Sequence, residues 1–380
     1  MIRVSVRREL LQWARDRAGL TLEDLSRRFP KLPDWERGDS RPTLKQLEQF
    51  SRATRAPVGF LFLAEPPVER LPLPDFRIGR NAGNRPPSPD LLEMIYVCQQ
   101  RQAWYRDHAR SVGIEPQGFV GSARLADSPE NVAGRMRGAL GFDLEARREC
   151  PTWADALRQF IGQADSVGML VMCSGVVMNN NKRRLDPNEF RGFALVDALA
   201  PLVFINGADT KAAQMFTLAH ELAHVWLGQS ALSNVEPISQ PDNDAEIWCN
   251  QVAAEFLVPL HVLRAELRKG ALDIEVSRLS RRFKVSTLVI LRRLLDVGRL
   301  SRAELRRAYE AELERLLAIP KGSGGDFYLT QAARVSKRFA RALVESTLEG
   351  QTLYRDAFQM LGISKAETFQ ELGRALQPGM

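Results

Sequence analysis

Phe216-Thr217-Leu218-Ala219-His220-Glu221-Leu222-Ala223-His224 is the stretch from which the rest of this 380-residue chain can be read. It lies in a run from Lys211 to Gly228 with helical periodicity. At about 100° per residue, Met215, Leu218, Ala219, Leu222 and Trp226 fall on one stripe, which predicts a core-facing side. His220 and His224 stand four apart, so they stack on one face roughly opposite that stripe. Glu221 projects to the side of the pair. A cation shared by both imidazoles would sit beside this carboxylate, not on it. Glu221 is thereby placed to act as general base on a metal-bound water, whose pKa zinc (Zn2+) lowers toward neutrality.

Such a site needs a third ligand. The segment Pro241-Asp242-Asn243-Asp244-Ala245-Glu246 opens a second helix with acids, and Glu246, Asn250, Ala253 and Leu257 share one of its faces. Cys249 and Ala253 are small and allow close helix approach. Glu246 is the preferred ligand and Asp242 the reserve. The competing explanation for these acids is that they complement the helix dipole. Asn250 is a candidate supporting residue. His261, after Pro259, is a candidate hydrogen-bond donor in the transition state. His108, the remaining histidine, reads as structural.

The surroundings fit a globular chain. Hydrophobic residues make up 44% and charged residues 26%, enough for a sizeable core and against disorder. No apolar run is long enough to span a bilayer and no secretory h-region opens the chain, so a soluble, cytoplasmic protein without a membrane partner is expected. Cys98, Cys150, Cys173 and Cys249 form no C-x-x-C pair, which argues against a disulfide framework or zinc ribbon. The net charge of +7 is compatible with nucleic acid or an acidic partner, and equally with solvated helix faces.

The expected architecture is α+β and predominantly helical. Val167–Met172, Gly192–Val196 and Leu202–Asn206 read as strands of a small sheet. Helical pattern covers 90–165, Lys211–Gly228, Asp244–Val258 and Leu260–Leu317. Prolines crowd 64–90, a linker. The implied domains are a helical module at 1–63, the linker at 64–90, a metallopeptidase domain at 91–319 with its core at 165–262, and a helical C-terminal segment at 320–380. Lys321-Gly322-Ser323-Gly324-Gly325 reads as a hinge or loop.

Phe216–His224 followed by Glu246-Ile247-Trp248-Cys249-Asn250-Gln251-Val252-Ala253-Ala254-Glu255-Phe256-Leu257-Val258-Pro259 resembles the ImmA/IrrE zinc metallopeptidases. Many members have Gly before the second His, where Ala223 stands here. The resemblance extends to Glu189–Asp197 and covers about 165–262. It implies a zincin-like sheet-plus-helix core, places the third zinc ligand on Glu246, and implies site-specific cleavage of a protein, typically a helix-turn-helix repressor that controls a stress or mobile-element operon.

Residues 5–62 resemble an XRE-type helix-turn-helix through Leu22-Glu23-Asp24-Leu25, Trp35-Glu36-Arg37-Gly38 and Pro42-Thr43-Leu44-Lys45-Gln46-Leu47. Residues 1–55 hold 13 Lys and Arg against 8 Asp and Glu, a net +5 that suits DNA. Pro30 and Pro33, however, fall where the recognition helix belongs and argue against a regular one. Chains of this layout also resemble proteins encoded beside PIN-like ribonuclease toxins. An antitoxin or regulator, with an adjacent-gene toxin as partner and the peptidase domain as scaffold, is therefore the competing expectation.

Overall fold

The computed structural model describes residues 3–75, 86–233, 243–317 and 333–376. The chain divides into two compact units. One takes the described residues up to Pro72 together with 86–95; the other takes 73–75 and the described residues from Tyr96 onward.

The first unit contains α1 (Arg8–Arg17), α2 (Leu22–Ser26), α3 (Leu32–Arg37), α4 (Leu44–Thr54) and a 3-10 turn at Val58–Phe62. Its helix starts are written locally. Thr21 accepts from the Asp24 amide while Asp24 answers to the Thr21 amide, and Thr43 and Gln46 repeat the arrangement. Leu10, Leu11, Leu25, Phe29, Leu32, Trp35, Leu47 and Phe50 form the core. The structure modifies one expectation here. Pro33 lies in the first turn of α3, where its missing N–H costs nothing, so the prolines shorten this helix to six residues without abolishing it. On α4, Leu47, Phe50, Ser51 and Thr54 face inward, while Leu44 is 42% exposed.

In the second unit the sheet has four strands, β1 (Leu170–Ser174), β2 (Gly192–Leu195), β3 (Leu202–Asn206) and β4 (Ala231–Ser233), in the order β1-β3-β2-β4. β1 and β3 are parallel, while β2 runs antiparallel to both β3 and β4. The first three strands fall where the apolar runs predicted them, with β1 displaced toward Ser174 because α8 (Trp153–Ser166) and its cap at Val167 take the start of that run. β4, only three residues long, went unread.

α9 (Lys211–Leu227) packs on β2 and β3 on one side and on α10 (Asp244–Leu257) and α8 on others. Consequently 214–227 are all buried, the imidazole face included. The imidazole face is not a surface; it is an inner wall. Gly228, left-handed at φ 78°, ends α9. α6 (Pro129–Leu140), α7 (Leu144–Arg148), and beyond α10 the helices α11 (Leu260–Glu266), α12 (Leu272–Phe283), α13 (Thr287–Asp296) and α14 (Arg302–Leu317) enclose the same core. Three more helices, α15 (Lys337–Leu348), α16 (Tyr354–Leu361) and α17 (Ala366–Leu376), make up the described C-terminal part, with α15 packed on β1. The expected loop at Lys321–Gly325 lies outside the described residues. No described helix is long and apolar enough to cross a membrane.

Candidate metal centre

α9 presents His220 and His224 one turn apart, and α10 delivers Glu246 from its first turn. The two Nε2 atoms are 3.1 Å apart. Glu246 Oε2 lies 3.2 Å from His220 Nε2, and Glu246 Oε1 lies 2.9 Å from His224 Nε2. His220 and His224 are fully buried and Glu246 is 2% exposed. The two imidazole nitrogens and the two oxygens of one carboxylate converge, at separations close to the roughly 3.3–3.4 Å between ligands of a tetrahedral cation at about 2.0–2.1 Å from each. Two imidazole nitrogens and one carboxylate, all aimed inward, form a donor set that fits a divalent cation. Among the described residues this is the one His/Cys/Asp/Glu group with that convergence.

Glu221 supplies the second observation. It is fully buried, neither carboxylate oxygen has a donor in good hydrogen-bond geometry among the described residues, and the Ser233 hydroxyl is near enough to offset only part of the cost of burying it. A buried, unpartnered carboxylate is costly unless a cation or water completes it. Burial first, and the neighbouring Glu246 charge second, push its pKa well above the usual carboxylate range. Glu246 behaves in the opposite way. Burial acts to raise its pKa, but the two imidazoles outweigh that and hold it below the ordinary value. Burial lowers the His224 pKa, which favours the neutral imidazole that can ligate a metal.

Space for Glu221 comes from a glycine. A Cβ on Gly192 would stand 2.6 Å from Thr217 Cγ2, 2.9 Å from the Phe204 carbonyl oxygen and 3.0 Å from Glu221 Oε1. Only a glycine in β2 lets α9 come this close to the sheet. On β4, the buried Ser233 hydroxyl lies 3.4 Å from Glu246 Oε1. Neither Gly192 nor Ser233 was singled out from sequence. The glycine opening an apolar run was the available signal for the first; for the second there was none, because β4 is too short to show a pattern.

α10 is fixed at both ends. Asn243 caps it by accepting from the Ala245 and Glu246 amides. At its C-terminus three arginines from other helices donate to carbonyls that the helix leaves open: Arg137 to Glu255 (2.8 Å), Arg147 to Leu257 (2.7 Å) and Arg293 to Val258 (3.0 Å). Their charge also complements the negative end of the helix dipole. Glu255, buried on the face away from the site, pairs with Arg293.

The other candidates are dispersed. Asn250 is half-buried one turn past Glu246, its Oδ1 without a partner among the described residues. His261 is exposed on α11 and is not gathered into the buried triangle. Asp242 lies outside the described residues. His108 stacks on Trp104 with 5.2 Å between ring centres. The four cysteines are free; Cys249 is buried and its thiol is pushed up first by burial and then by the Glu246 and Glu221 charges.

Residues 164–295 match the family model of the IrrE N-terminal-like domain, a peptidase family. This IrrE-like segment starts in the last turns of α8 and ends in α13, and so contains the sheet, the metal triangle and Glu221. The C-terminal helices match separately: residues 335–375 fit a domain of unknown function. No curated protein matches the chain.

Proposed function

We propose that this protein is a regulatory zinc-dependent endopeptidase that cleaves a specific protein, such as a helix-turn-helix repressor, and so controls transcription of a stress or mobile-element operon. The observation that carries the reading is Glu221: a fully buried carboxylate with no cation paired to it among the described residues, set beside the converging donors of His220, His224 and Glu246 inside an IrrE-like domain.

His220, His224 and Glu246 would hold the metal. When bound, zinc polarises a carbonyl and makes water more acidic. Glu221 takes the proton from the water that attacks the scissile carbonyl, then passes it to the leaving amine. Gly192 keeps the carboxylate's place open. Glu246, held low by its imidazole partners, stays ionised as a ligand.

Deep burial supports a narrow substrate range, since four residues at most 2% exposed are poorly reached by an arbitrary chain. In the N-terminal unit, α3 is short, its Leu32, Trp35 and Glu36 are buried, and Arg37 pairs with Asp34 and Asp39. That leaves little side-chain reach for reading a DNA groove and favours docking of the protein substrate. A scaffold-only partner of an adjacent-gene toxin would have no use for a buried unpaired carboxylate beside a metal triangle, which weighs against that reading.

The test is direct. Purified protein should carry about one zinc per chain, and Glu221→Gln should keep the zinc while cleaving the neighbouring-operon repressor about 10²–10⁴-fold more slowly. Equal cleavage by the two proteins sinks the reading.

A further inference from the structure

Ser233, the last residue of β4, is fully buried and lies opposite Gly192 on β2. Cross-strand partners put their side chains on the same face of a sheet. At Gly192 that face meets Glu221: a Cβ there would stand 3.0 Å from Oε1. At Ser233 it meets Glu246, whose Oε1 is 3.4 Å from the hydroxyl. One rung of the sheet thus faces both carboxylates of the centre, with no side chain against the base and a hydroxyl against the ligand. The Arg191 amide, donating to the Ser233 carbonyl at 3.2 Å, holds the rung in this register.

Among the described residues, two groups approach Glu246 Oε1: the Ser233 hydroxyl, and His224 Nε2 at 2.9 Å. An imidazole nitrogen that ligates a metal is deprotonated, so with a cation bound His224 Nε2 has nothing to donate. A buried carboxylate oxygen must then be satisfied by the metal or by the hydroxyl. A catalytic zinc centre takes three protein ligands and keeps a further position open. Glu246 bound through both oxygens would crowd that position, and a donor on Oε1 holds the second oxygen back. The hydroxyl has a single proton to give. It is also near enough to Glu221 to act against the burial that raises that carboxyl's pKa. Donated to Glu246, the proton leaves Glu221 uncommitted.

We propose that Ser233 is a positioning residue for the metal centre: its hydroxyl donates to Glu246 Oε1, makes Glu246 a one-oxygen ligand, and so keeps one position of the metal open. This rests on the reading of His220, His224 and Glu246 as ligands given above. Ser233 acts through Glu246 and touches neither substrate nor metal.

The experiment compares full-length wild type, Ser233→Ala and Ser233→Thr, each metal-free, zinc-loaded and cobalt-loaded. Chelator competition reads zinc affinity. The visible absorption of the cobalt form reads coordination number, because four-coordinate cobalt absorbs more strongly than five-coordinate. Thermal melting of the metal-free chains, followed by circular dichroism, reads the fold. Ser233→Ala should bind zinc about 10–100-fold more weakly. Its cobalt band should weaken as the second carboxylate oxygen moves onto the metal. Ser233→Thr, which keeps the hydroxyl, should restore both. A hydroxyl that serves only the packing of β4 would lower the melting temperature of metal-free Ser233→Ala and leave zinc affinity and cobalt band as in wild type. An unchanged cobalt band in Ser233→Ala overturns the proposal whatever the affinity, and so does a Ser233→Thr chain that melts like wild type yet binds metal like Ser233→Ala. Should the threonine methyl lower the melting temperature, the cobalt band of Ser233→Ala decides alone. A wild-type chain that takes up neither zinc nor cobalt overturns the metal centre and Ser233's role with it. Metal bound as expected, with the repressor cleaved no faster than by Glu221→Gln, sinks the peptidase reading and leaves the role of Ser233 standing.

Discussion

In the N-terminal unit, helices begin where neighbours three residues apart satisfy each other: Thr21 with Asp24, Thr43 with Gln46. Around the metal centre the decisive partners are remote. Glu221 fits because Gly192, on a strand 29 positions earlier, lacks a side chain. Glu246 is positioned by a helix whose far end is held by Arg137, Arg147 and Arg293. The first region is built of short-range devices, each worth a small amount. The second is a convergence of long-range contacts in which a single loss leaves a buried group uncompensated.

The difference can be broken at three points, in decreasing order of effect. Arg293→Ala leaves the Glu255 carboxylate buried and unpaired and frees the Val258 carbonyl, so it should cost about 3–5 kcal/mol in chemical denaturation. The double change Arg293→Met with Glu255→Leu should recover most of that loss, since no orphan charge remains; an equal loss in the double mutant would show that pairing is not the cause. Gly192→Ala forces a methyl against Thr217, Phe204 and Glu221, and should cost about 1–3 kcal/mol together with weaker zinc binding by isothermal titration. A substitution there that lowers stability and leaves zinc affinity and cleavage unchanged would separate sheet packing from the site. Thr43→Ala removes one cap and should cost about 1 kcal/mol in the thermal unfolding of the N-terminal unit, with zinc affinity unchanged. If that change altered the metal centre, the contrast between a local and a convergent region would fail.

The same contrast explains what could be read in advance. The i, i+4 histidine pair is a helical property, so its common face followed from spacing alone. The strands near 170, 192 and 202 are equally local signals. The periodicity of α9 left one point open: a helix buried on all sides carries the same apolar stripe as one that faces solvent, and only its packing between sheet and α10 distinguishes them. His261 sits a few residues past the ligand helix in sequence, yet α11 turns it outward. Glu255 lies on the face of α10 away from Glu246, but its Arg293 partner, 38 positions away, could not be inferred from spacing.

The sequence by itself determined which groups are available for chemistry: two imidazoles on one helical face, a carboxylate beside them, and acids at the start of a second helix. That follows because helix geometry is set by neighbours within a few residues. Only the tertiary structure decided that Glu246 closes a triangle with both imidazoles, that Gly192 makes room for Glu221, and that the Ser233 hydroxyl of β4 reaches Glu246. These depend on how far the chain returns upon itself, and no residue spacing encodes that distance.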